Sequence, residues 1–197
     1  MFDFEHHWFS GAVHKKSPNH SGTIKPEILV MHYTADTSYT GAITWLCDPS
    51  SKASAHFVVS RDGRVTQLVP CNKKAWHAGK SRYRDRTNVN AFSIGIELVN
   101  AGPLKKRDDG SFVVAWQKLP KLVHPNEVQL VDDTYWHTYS KVQLEVTFRL
   151  AELVCGEYGL VDIVGHNDVA PGRKVDPGQL FDTVGWRREL FGTGATA

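Results

Sequence analysis

Apolar residues fall along this chain in short runs divided by Gly, Pro, Asn and Asp. Ile28–Tyr33 is apolar except at His32, the pattern of a strand buried on both faces. Tyr39–Cys47 predicts a short helix, stopped by Asp48-Pro49 because proline has no amide to give a helix interior. Residues 56–60 and 64–69 flank Arg61-Asp62-Gly63, and Asp-Gly supplies the positive φ values of a tight hairpin turn. Residues 93–99 alternate as a strand does. Trp136, Tyr139, Val146, Leu150, Leu153 and Val154 keep helical spacing, which predicts one long helix over 135–158 with Gly156 and Gly159 at its end. Residues 161–164 read as a short strand and 181–191 as a C-terminal helix.

Three stretches lack such a period. Residues 1–27 read as a loop-like lead-in, packed by Phe2, Phe4, Trp8 and Phe9. Residues 100–134 are a polar insertion broken by Gly102-Pro103, Asp108-Asp109-Gly110 and Pro120. Residues 192–197 read as a disordered tail, which leaves one folded domain over 28–191. Strands interleaved with helices, plus a hairpin, predict an α/β fold: a single domain with a mixed central β-sheet flanked by helices.

Composition narrows the class. A chain of 197 residues, 41% hydrophobic and 22% charged, is that of a globular domain. No apolar run approaches the roughly 20 residues of a spanning helix, so no membrane insertion is expected. The start of the chain shows no basic stretch leading into an apolar one, so a cytoplasmic product is expected. Cys47, Cys71 and Cys155 are odd in number and widely spaced, which predicts reduced thiols rather than a disulfide framework. A net charge of +2 argues for no polyanionic partner, and a monomer is expected. The run 73–86 holds six basic residues with aromatics between. Alone it could bind nucleic acid. A solvated loop is commoner, and a third reading has the basic side chains gripping the carboxylates of a bound peptide. The near-neutral remainder of the chain argues against nucleic acid.

The chemistry concentrates at four places. His166 and Asp176 lie ten residues apart in a Gly- and Pro-rich loop, a composition that folds two side chains onto one point. Lys174 stands two residues before the carboxylate; if that segment is extended, both point the same way. His32, near the end of its strand, would complete a His/His/Asp set, and three protein ligands with an open position make a hydrolytic zinc site. Glu97 shares a strand face with Ser93 and Gly95. Two small residues beside a carboxylate predict a cavity floor, where lost hydration raises the carboxyl pKa and makes a general base. Each residue has a simpler explanation: a satisfied core histidine, a buried ion partner, a loop hydrogen bond. Taken together, those explanations need three independent coincidences.

Five motifs in chain order carry a resemblance. They are His32-Tyr-Thr-Ala35 after a strand, Ser54-Ala-His-Phe57 before the Arg-Asp-Gly turn, Ala75-Trp-His-Ala-Gly79, Phe92-Ser-Ile-Gly-Ile-Glu97, and Gly165-His-x-x-x-Ala-Pro-Gly-Arg-Lys-x-Asp-Pro-Gly178. Over about residues 28–190 the chain resembles the zinc-dependent N-acetylmuramoyl-L-alanine amidases of the type 2 family. That family includes phage endolysins, a muropeptide-recycling amidase and relatives among the peptidoglycan recognition proteins. The resemblance implies zinc at one edge of the sheet, held by His32, His166 and Asp176. It implies Glu97 as the catalytic glutamate, Lys174 as the lysine that assists it, and peptidoglycan or a muropeptide as substrate. Trp76, His77, Asn90 and Arg173 are assigned to substrate binding. As a cleft residue, His77 is expected to be dispensable for holding the metal. His56 is read as a buried structural histidine. Some phage members carry a Tyr just before the hairpin His and a Cys as third ligand; Ala55 and Asp176 stand there instead, which places the chain nearer the recycling subgroup. A cytoplasmic product of this kind could reach periplasm or wall after release. Two rivals remain: a non-catalytic peptidoglycan-binding module, which would lack some of these residues, and a zinc peptidase acting within the stem peptide.

Overall fold

The computed structural model describes residues 3–116 and 120–192. Its main sheet has six strands, in the order Asp162–Gly165, Ile28–Tyr33, Ser93–Leu98, Phe57–Val59, Val65–Gln67, Val13–His14. The first four run parallel. The hairpin strands Phe57–Val59 and Val65–Gln67 are antiparallel, so the sheet is mixed, as the sequence predicts.

Side-chain alternation sets its two faces. Leu29, Met31, Ile94, Ile96 and Leu98 point to one, where the helix Lys141–Tyr158 covers them with Leu150, Ala151 and Val154. Ile28, Val30 and Val164 point to the other and pack on Ala78, Val89, Phe92 and Val169. The helices Tyr39–Cys47 and Thr183–Phe191 complete the cover. Among the described residues no helix is long and apolar enough to cross a membrane. All three cysteines are free.

The long helix begins later than its spacing predicts. Thr134–His137 is a strand, and Ser140 is the N-cap, its Oγ accepting from Gln143 N at 3.1 Å. Trp136 and Tyr139 only mimic the helical period across that cap. Gly156 lies inside the last turn, and Gly159, at φ 59, ends the helix in the left-handed region. Gln143 then donates to Val59 O and Val99 O, each at 3.1 Å, tying the helix to two strand ends. Ser140 Oγ also donates to Arg61 O. Ser140→Ala should therefore cost about 1–2 kcal/mol, read as a lower urea midpoint at unchanged slope. The C-terminal helix likewise starts at Thr183 rather than 181, because Asp182 caps it while Phe181 sinks into the core.

Two stretches without a visible period turn out to be paired. The insertion forms a five-stranded antiparallel sheet, ordered Leu122–Val123, Phe112–Val114, Pro103–Lys106, Thr134–His137, Val128–Val131. Its core is small: Ala101, Leu104, Val114 and Val123. Strands this short show too few alternations to read. The lead-in is not a loop either. Phe4–Glu5 pairs with Trp8–Phe9, Val13–His14 edges the main sheet, and His20–Thr23 pairs with Lys73–Ala75. Phe9 enters the main core and Phe4 packs against it. Phe2 and residues 193–197 of the expected tail lie outside the described residues.

Candidate metal centre and cleft

Parallel register decides which chemistry meets. Glu97 is the strand partner of His32, and Gly165 is the partner of Met31. His166 follows Gly165, so it arrives beside His32 at the carboxyl edge of the sheet, where open α/β sheets place their clefts. It starts the short helix His166–Val169, steadied by Asp168 Oδ2 accepting from Gly165 N at 2.7 Å. The loop then returns, and Asp176 O accepts from Asn167 N at 2.8 Å. That contact sets the Asp176 carboxylate against both imidazoles.

His32 Nδ1 lies 2.9 Å from His166 Nδ1, and Asp176 Oδ2 lies 3.0 Å from the first and 2.9 Å from the second. The outward ring nitrogens decide the protonation of the inward ones. His166 Nε2 sits 3.1 Å from Ala78 O, and a carbonyl can only accept, so the proton is on Nε2 and Nδ1 is bare. Arg173 Nη2 donates to the same carbonyl at 2.7 Å, which is why it stands 3.4 Å from that ring nitrogen. Bare imidazole nitrogens and a carboxylate oxygen repel one another unless a cation sits among them. The three side chains are buried and their ligand atoms converge within 4.8 Å, so this cluster can hold a metal ion.

Electrostatics agree. Burial, then the neighbouring His166, pulls His32 down to about 4 from its ordinary 6.5, which keeps it neutral as a ligand must be. Glu97 behaves oppositely: burial and then the Asp176 charge push its carboxyl well up, opposed by Lys174. Its Oε2 is buried without a hydrogen-bond partner among the described residues. Both Glu97 and Lys174 line a cavity of about 510 Å³ that opens from the three ligands.

The small residues beside Glu97 do a different job from the one predicted. A Cβ on Gly95 would lie 2.6 Å from His77 Cγ, so the ring of His77 fills the space read as open cavity floor. His77 also lines the cavity, with Trp76 and Arg173. Asn90 is not among the lining residues; its Oδ1 accepts from His77 N at 3.2 Å and Ala78 N at 2.8 Å. Asn90 thus braces the segment that carries His77. Arg173 likewise spends Nη2 on Ala78 O and Lys80 O. His56 accepts from Gly95 N at 3.0 Å and donates to Lys73 O at 2.9 Å, a structural histidine.

Sequence reading missed two aromatic residues of the cleft. Trp45 is 58% exposed on its helix yet lines the cavity, and an exposed Trp on a predicted helix was the signal available. Trp116 comes from the insertion. It stacks on Tyr33 with centroids 6.1 Å apart, and its Nε1 donates to Ala35 O at 3.2 Å. Lys121 of the same insertion pairs with Asp36 at 2.6 Å. Nothing local marks either residue, because only sheet pairing folds the insertion over the cleft.

Two imidazoles and a carboxylate that can hold a metal ion, an open cleft and a further carboxylate beside them have the make-up of a hydrolase centre. Comparison narrows the class: residues 22–179 match the N-acetylmuramoyl-L-alanine amidase family, and the chain belongs to it. The 1,6-anhydro-N-acetylmuramyl-L-alanine amidase AmpD of Enterobacter cloacae is 32% identical over 206 residues, covering 93% of this chain and 91% of its own. The N-acetylmuramoyl-L-alanine amidase AmiD of Escherichia coli K12 is 33% identical over 164 residues, covering 79% of this chain and 50% of its own. The structure of E. coli AmiD with the substrate anhydro-N-acetylmuramic acid-L-Ala-D-gamma-Glu-L-Lys aligns with a TM-score of 0.65 at 29% identity, covering 90% of this chain and 62% of that one.

Proposed function

We propose that this chain is a zinc amidase that hydrolyses the amide between the lactyl group of N-acetylmuramic acid and L-alanine, with anhydro-muropeptides as the first substrate to test. One observation carries the reading: His32, His166 and Asp176 converge beside an unpartnered Glu97 in a single cleft. A binding module has little use for a carboxylate oxygen buried without a partner, because burying it costs free energy. Two imidazoles and a carboxylate suit tetrahedral zinc with one position open. Bound zinc would polarise the scissile carbonyl and bring the pKa of a water towards ~7.

The chain's own residues do the rest. Glu97 Oε2 takes the proton of the attacking water and hands it to the leaving nitrogen of L-alanine. The Lys174 ammonium, on the cavity wall, faces the oxygen on which negative charge develops. Trp45 and Trp116 offer flat apolar faces to a sugar ring. Lys174→Ala should keep the metal and KM while lowering kcat by roughly 100-fold. Wild-type kinetics in that variant would remove Lys174 from the chemistry.

The direct test is product analysis. Incubation with an anhydro-muropeptide should release the free stem peptide and the sugar lactate, both identified by mass spectrometry. A chelator should stop the reaction and added zinc restore it. A cut inside the stem peptide would replace this reading with the peptidase.

A further inference from the structure

Behind His32 runs a chain of hydrogen bonds whose direction is fixed at its far end. Ser93 Oγ lies 2.7 Å from Val89 O, and a carbonyl only accepts, so the single hydroxyl proton of Ser93 goes there. Ser93 Oγ must then accept from His77 Nε2, 3.2 Å away. With the His77 proton on Nε2, its Nδ1 is bare and accepts from His32 Nε2 at 3.0 Å. His32 therefore carries its proton on Nε2 and turns a bare Nδ1 to Asp176 and His166. Reversing any one link would set two acceptors or two protons against each other.

The surrounding sequence is arranged to hold this ring. Gly95 leaves the space, since a Cβ there would meet three His77 ring atoms at 2.6–2.8 Å. Asn90 anchors both His77 N and Ala78 N, so a single side chain places the outer partner of each histidine ligand: the His77 ring for His32 and the Ala78 carbonyl for His166.

We infer that His77 is a positioning residue for the metal centre: it fixes the tautomer and ring orientation of His32, rather than serving only as cleft lining. This goes further than the proposed amidase reading but rests on its metal site. Partners of this kind typically hold 10–100-fold in metal affinity. The inference runs against the expectation that His77 is dispensable for metal retention, and the two predict different outcomes.

Zinc affinity, measured by competition with a chromophoric chelator, tests it without any substrate. Leu and Asn are nearly isosteric, and only Asn presents an acceptor near the place of Nδ1. His77→Leu should bind zinc about 10–100-fold more weakly than wild type, and His77→Asn should recover most of that loss. Gly95→Ala, which touches no ligand, should weaken zinc in the same direction by displacing the ring. His77→Leu with wild-type affinity would overturn the inference, as would His77→Asn binding as weakly as His77→Leu. A wild-type chain that takes up no zinc would instead fail the metal site itself, and this inference with it. Imidazole 15N–1H spectra of the zinc-loaded wild-type protein need no variant. They should show His77 protonated at Nε2 and bare at Nδ1, and a proton on Nδ1 would overturn the inference.

Discussion

Glu97→Gln is expected to lower turnover by on the order of 100-fold or more while leaving fold and metal content unchanged. Glutamine keeps the shape of the side chain but cannot accept a proton. The position leaves little room for another explanation. Glu97 stands beside His32 in strand register, its Oε2 is buried without a partner, and burial has pushed its carboxyl well above the usual range. The acid limb of the activity profile should follow this group, since only the ionised carboxylate works as the base. Lys174 is the cation that opposes the rise, so Lys174→Ala should move that limb to higher pH. Stopped assays of muropeptide cleavage alongside elemental analysis check both points. Full activity in Glu97→Gln would end its role as base, and an unmoved limb in Lys174→Ala would uncouple the two groups.

Asp176→Ala should abolish zinc retention, weakening affinity by well over the roughly 100-fold range of outer partners. The carboxylate is the only anion of the set, and its Oδ2 touches both imidazole nitrogens at 2.9–3.0 Å. Without it, two neutral rings face each other and the cation loses its charge partner. Activity should fall to the level of the chelated wild type. The metal-free variant should stay folded, because the main core of Leu29, Met31, Ile94, Ile96 and Leu98 lies on the opposite face of the sheet. Dialysis followed by elemental analysis gives the answer, with near-ultraviolet circular dichroism as the folding control. A variant that still held one zinc per chain would remove Asp176 from the ligand set.

Some parts of the chain were legible because their signal is local. Ile28–Tyr33 reads as a strand from its own six residues, and the hairpin reads from Asp62-Gly63. The loop with His166 and Asp176 reads from its Gly and Pro. Other parts carry their information in partners far along the chain. The strand Val13–His14 has only two residues and exists because Val65–Gln67 offers it an edge. The end of the insertion strand Thr134–His137 was read as helix because Trp136 and Tyr139 fit either period, and only Ser140 separates them.

The residue types of the centre, their order, and the strand and loop that carry them are legible in the amino-acid sequence. Motif spacing is set by local backbone geometry, so it survives in a one-dimensional reading. Tertiary structure decided what each neighbour is for. Ser93 and Gly95 look like the floor of a cavity until strand pairing brings His77 over them. Nothing in the local sequence marks Asn90 as the residue whose oxygen takes two backbone amides. Trp116 belongs to no motif and reaches the cleft only because five short strands fold it there. The physical reason is the same in each case. Hydrogen-bond direction and packing depend on what lies across space, and the atoms that meet there are distant along the chain, as with His77 and Asn90, 13 residues apart.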